Sequence, residues 1–236
     1  MIIPKYIFAG DSWAVKGYTN ENYHYSNNDP MPADVRLADH WSWTYDYCLT
    51  GGQGNLSCME KLKQKQVDPT VPVIWLFTEP GRDYHIITGR PEFEWIESED
   101  IFEIRKQLEK ETFARIQDEI KNPIGFIGGL SDVDTKLAEH HGFTVLHPSW
   151  QSWIATKLES RWFKFGWGAC DIGWRANYNS VVPSKTATFA WDEQIKEWCW
   201  WEEQGYFCHE HPTPLANEEF AEFLYPTVQN WLIQYE

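Results

Sequence analysis

Apolar positions along the chain fall into short runs of strand length, separated by longer stretches where apolar residues return every three or four positions. Residues 5–10 (KYIFAG) read as a buried strand ending in a turn. Within 35–47, Leu37, Trp41 and Tyr45 recur at intervals of four and predict a helix, with a short strand over 47–50. Asn55 is placed to cap the next helix, whose Leu56, Met59 and Leu62 share one face. The run 71–77 (VPVIWLF) is apolar on both faces, as a central parallel strand should be. Residues 79–95, with their Pro, Gly and Arg, read as a loop. A long charged helix is expected over 98–121, opening on Ser98-Glu99-Asp100, with Lys106, Glu109 and Lys110 in helix-face ion pairs. A strand at 124–128, a helix at 132–141 closed by Gly142, and a strand at 143–146 follow. The region 149–206 is Trp-rich, with its best helical pattern at 190–204, and a terminal helix is expected over 217–233, with a kink site at Pro226.

Strands alternating with helices through short connections argue an α/β fold: a three-layer sandwich around a five-stranded parallel sheet. One domain over residues 1–236 is expected, with 149–206 as an insertion or cap. In such sheets chemistry gathers at the carboxyl ends of the strands. Three polar or glycine clusters fall there: Gly10-Asp11-Ser12, residues 51–55 (GGQGN), and residues 78–82 (TEPGR).

Charge narrows the function classes. The chain of 236 residues carries 35 acidic and 20 basic side chains, a net charge of −15. A field of that sign repels phosphate backbones and anionic lipid heads, so neither nucleic acid nor a membrane surface is the expected partner. No apolar run approaches the roughly 18 residues of a membrane span, and Met-Ile-Ile-Pro-Lys leads into a strand rather than a signal peptide. A soluble, cytoplasmic protein is the expectation. Five scattered cysteines without a CxxC pair fit reduced thiols in a reducing compartment. The aromatic count is high, with 15 Trp, 11 Tyr and 13 Phe. Either many rings are exposed, which suits sugar faces or a protein interface, or the core is unusually aromatic.

Ser12 follows a strand directly and stands beside Asp11 in a tight turn, where its hydroxyl is a candidate nucleophile; Asp-Ser is also ordinary turn chemistry. Near the other end, Cys208-His209-Glu210-His211-Pro212 precedes the terminal helix. With these two elements the whole chain resembles the SGNH (GDSL-type) hydrolases, whose fold is flavodoxin-like. That family opens with a strand into Gly-Asp-Ser, here residues 7–12. Its second block is a glycine in a tight loop before a helix, matched by Gly52, with Gly54 as the alternative. Its last block is Asp-x-x-His, often followed by Pro and a helix, matched by His211-Pro212.

The resemblance implies a serine ester hydrolase without cofactor or metal, acting on a small or carbohydrate-linked acyl ester. Ser12 would attack the acyl carbon, His211 would take its proton, and the amides of Ser12 and Gly52 would hold the oxyanion. The family's third block is Gly-x-Asn-Asp, and here Thr78 stands in the Asn position, with Arg82 as an added cationic donor. Cys208 stands where the last block has its Asp, so the acid comes from elsewhere (Asp171 and Asp192 are candidates), the histidine works in a dyad, or catalysis is lost. The alternative is a non-catalytic module of the same fold that binds a glycan or a protein. Cys208, His209 and His211 also raise the question of zinc, but only Cys199 and His140-His141 are available as partners, and a metal site is not expected. His209 is most simply an exposed loop residue.

Overall fold

The structure, a computed structural model, describes residues 5–10, 38, 41, 43–49, 54–89, 101–129, 132–157, 203–208 and 211–236. Five strands form one sheet: β1 (Tyr6–Gly10), β2 (Tyr45–Leu49), β3 (Val73–Phe77), β4 (Ile124–Gly128) and β5 (Thr144–His147). Their order is β2-β1-β3-β4-β5, and every pairing is parallel. This is a doubly wound α/β sheet, with its order reversing beside β1.

Two separate cores explain why the strands are apolar on both faces. Along β1, Tyr6 and Phe8 face one core while Ile7 and Ala9 face the other. The second core is closed by α1 (Asn55–Gln64), α3 (Ile101–Glu119) and α4 (Thr135–His140), through Leu56, Met59, Leu62, Phe113, Ile116 and Ala138. The first is closed by α5 (Trp150–Lys157) and the terminal α6 (Pro214–Leu232), through Trp150, Trp153, Ile154, Phe220, Leu224 and Trp231. The three layers expected from the alternation are therefore present, with five parallel strands in the middle.

Several expectations need correction. The described residues of 35–47 form no α-helix, and β2 begins at Tyr45. Tyr45 pairs with Tyr6 in the ladder and stacks on its ring at 5.5 Å, and that cross-strand contact outweighs the spacing of four. The stretch after β3 is not all loop: a 3-10 turn (Pro80–Asp83) leads into a short α2 (Tyr84–Thr88). Glu109 is not an exposed ion-pair residue. It is 1% exposed, accepts the Asp134 amide at 2.9 Å, and lies 4.0 Å from Arg105. Burial raises its carboxyl above the usual range. α6 begins three positions before Asn217, because Thr213 caps it and Pro214 occupies its first turn. It stays helical through Pro226. Gly142 ends α4 at φ +80°, as expected of a helix stop.

Six tryptophans lie among the described residues, and five of them (Trp41, Trp75, Trp150, Trp153 and Trp231) are at most 7% exposed. For these the aromatic-core alternative holds, not the exposed one. The helical pattern at 190–204 lies almost wholly outside the described residues. No helix among the described residues is long and apolar enough to cross a membrane.

Candidate active site at the carboxyl edge

All five strands point the same way, so their carboxyl ends share one edge. β1 ends there at Gly10, which pairs with Leu49 of β2 and Leu76 of β3. Asp11 and Ser12 follow Gly10 in the chain and lie, with Gly52 and His209, outside the described residues. Gly54, Thr78 and Arg82 are described, and the structure brings all three into one cluster behind the ends of β2 and β3.

Three interactions build that cluster. The Asn55 side chain pairs with the backbone of Thr78: its Nδ2 donates to Thr78 O at 2.9 Å, and its Oδ1 accepts from Thr78 N at 3.0 Å. The Asp83 carboxylate accepts from the Asn55 and Leu56 amides, both at 3.0 Å. These are the first N–H groups of α1, which have no acceptor within the helix, so Asp83 caps it from 28 positions away. Asn55 is therefore not the cap expected of it; Gly54 is the N-cap residue, and Asn55 is spent on β3. The third interaction is a close approach at Gly54. A Cβ there would lie 2.1 Å from Asp83 Oδ1 and 2.7 Å from its Cγ, so only glycine fits.

The cluster is dry. Asn55, Thr78, Glu79 and Asp83 are all at most 5% exposed. Burial pushes the Asp83 carboxyl from 3.8 up to about 6, against the Leu56 and Asn55 donors and the nearby Arg82 charge, which pull it down. What this arrangement supplies is rigidity: the turn after β3 and the start of α1 are locked together by four hydrogen bonds. Asp83 was not among the expected site residues, and Asn55 was expected only as a helix cap within the 51–55 cluster. Their roles join positions 23 and 28 apart, and no local pattern announces such pairings.

The last block enters from the other core. Phe207–Cys208 and His211–Pro212 form a two-stranded antiparallel ladder, β6 and β7, in which Cys208 and His211 are direct partners. α6 follows immediately and runs antiparallel to the sheet. Phe220 and Phe223 set their ring edges against His147 at the carboxyl end of β5. Trp231 reaches Gly125 near the start of β4, and Glu236 meets Lys5 just before β1. The N-terminus of α6, and the β6–β7 ladder before it, therefore belong to the carboxyl edge. Trp41 ties this helix to the β1 side by donating to Ala221 O at 3.1 Å.

Beside the end of β5 a cavity of about 600 Å³ opens between α5 and α6, lined by Asp132, His147, Ser152, Trp153, Lys157 and Phe223. Ser149 Oγ donates to Asp132 and accepts from the Ser152 amide at 2.8 Å, so this wall is capped and fixed. Burial lowers the His147 pKa, which favours its neutral imidazole. Among the described residues no group of three His, Cys, Asp or Glu could hold a metal ion. No protein-family model matches the chain, and no curated protein matches it.

Proposed function

We propose that this chain is a serine ester hydrolase of the SGNH type, acting on a small or carbohydrate-linked acyl ester. The observation that carries the reading is the locked turn at Thr78 beside the Gly54 loop, on the carboxyl edge of a parallel sheet whose first strand leads into Gly-Asp-Ser. An oxyanion hole needs donors that do not reorganise when charge develops, and a dry, cross-bonded rim meets that need.

In the reaction, the Ser12 hydroxyl attacks the acyl carbon while His211 takes its proton. The amides of Ser12 and Gly52 hold the oxyanion, and the Thr78 hydroxyl stands in for the family's Asn side chain. The alcohol leaves with the proton from His211. Water then repeats the sequence on the acyl-enzyme, releasing the acid and restoring Ser12. Arg82 adds positive charge to the same edge. Asn55 and Asp83 act as positioning residues, holding the two loops that frame the site.

A second reading is favoured by one specific residue. Cys208 stands where the family has its Asp, so the fold would serve as a binding module, with the cavity beside His147 as its pocket. A fluorophosphonate probe separates the two. The enzyme reading expects covalent labelling of Ser12, with loss of labelling and of short-chain ester hydrolysis together in Ser12→Ala. A wild-type chain that neither labels nor hydrolyses any of a panel of acyl esters and acetylated sugars would overturn it.

A further inference from the structure

We propose that Cys48 and Cys58 form a reversible oxidation site, a thiol pair that closes to a disulfide across the base of the glycine loop when a peroxide reaches it. Cys48 is the fourth residue of β2 and Cys58 the fourth of α1, so the pair brackets the loop holding Gly51, Gly52 and Gly54. Each thiol reaches across to the other residue's backbone. Cys48 Sγ donates to Cys58 O at 3.7 Å, and Cys58 Sγ donates to Cys48 O at 3.4 Å. Both are reduced, both are at most 1% exposed, and both sit among Ile7, Ala9, Leu56 and Met59 in one core.

Two thiols placed this way on separate elements are more than core packing requires, since any small apolar residue fills such a space. The chemistry also has a direction. The Cys58 side chain beside it lowers the Cys48 thiol pKa, and Lys61 and Lys65 pull the same way against burial. We assign Cys48, on the edge strand β2, as the attacking sulfur. Its thiolate takes one oxygen from hydrogen peroxide, giving a sulfenic acid and hydroxide, which picks up a proton to become water. The Cys58 thiolate then attacks the Cys48 sulfur and displaces the second hydroxide. In sum two thiols and one peroxide become a disulfide and two waters. Both thiols are buried, so the peroxide reaches them through local opening of β2, the edge strand of the sheet. A peroxide is small enough to enter where a bulky disulfide reagent is not. Closure fixes the base of the glycine loop, and a thiol reductant releases it.

The test uses the whole folded chain. No Lys or Arg lies between Arg36 and Lys61, so one tryptic peptide, residues 37–61, carries both cysteines. After hydrogen peroxide at low excess and quenching with iodoacetamide, that peptide is expected to be lighter by two hydrogens and free of alkylation. Dithiothreitol should restore double alkylation. In Cys58→Ala, Cys48 should instead be trapped as a dimedone adduct of its sulfenic acid. The proposal is overturned if the wild-type peptide remains doubly alkylated while other cysteines oxidise. It is equally overturned if Cys48 goes directly to the sulfinic acid, or links to Cys170, Cys199 or Cys208. The wild-type map decides even if the variant does not fold, and it is independent of any esterase activity.

Discussion

Replacing Asp83 by asparagine removes one charge from the driest part of the rim, and its effect should depend steeply on pH. In the folded chain burial raises this carboxyl from 3.8 to about 6. As pH rises through 3.8 the unfolded chain gives up its proton while the folded chain keeps it to about pH 6. The native state thus binds more protons in this window, and stability falls as pH rises through it. The contribution is full below the unfolded value and lost above the folded one. At 1.36 kcal/mol per pK unit, the loss between pH 3 and pH 7 comes to about 3 kcal/mol. The asparagine side chain carries no proton to lose and keeps one acceptor for the α1 amides. Urea unfolding of both proteins at half-unit steps across this range gives the comparison. Wild type should lose about 3 kcal/mol relative to Asp83→Asn, with the change centred near pH 5. Glu109, whose carboxyl burial also raises, has the same slope in both proteins and cancels in the difference. Parallel curves would refute the reasoning. A wild type that gains on the variant as pH rises would refute it too, by showing that the two backbone donors and Arg82 outweigh burial.

Gly54→Ala should cost about 2–4 kcal/mol in the same unfolding assay, because its Cβ overlaps Asp83 Oδ1 and dislodges the cap of α1; a cost under about 0.5 kcal/mol would show that the loop relaxes freely. Ser149→Ala should cost about 1–3 kcal/mol, since it strips the Ser152 amide and Asp132 of a partner that is 1% exposed. An unchanged urea midpoint would rule that network out as a support of α5. If the chain is a Ser-His hydrolase lacking its family acid, Cys208→Asp should raise turnover on simple esters about tenfold or more. A flat response with Ser12-dependent turnover intact would sink the dyad version and point to another carboxylate already bonded to His211.

What could be read from sequence was what depends on near neighbours. The apolar run at 71–77 has no polar face, so it had to lie inside a sheet covered on both sides, and β3 is the central strand. The alternation of such runs with helical stretches led to a parallel three-layer fold, and Gly142 and the 124–128 strand fell where local chemistry placed them. The rim was partly legible. Gly54, Thr78 and Arg82 could be picked out because they follow strands, and strand ends in parallel sheets meet on one edge.

What only the tertiary structure decided was every pairing between distant positions. Asp83 rather than Asn55 caps α1, because the 3-10 turn after β3 carries a carboxylate to the first two amides of the helix, while the Asn55 side chain is drawn to the backbone of Thr78. Gly54 is required by the atom opposite it, not by its own backbone angles. The helical spacing of Trp41 and Tyr45 misled because Tyr45 lies in a strand, paired with Tyr6 and stacked on its ring. Tryptophans that read equally well as surface or core were assigned by the two faces of the sheet, each of which needs a full apolar layer. Local sequence limits which elements can form; which residues then face one another depends on how those elements stack, because hydrogen bonds and burial act over ångströms, not over positions in the chain.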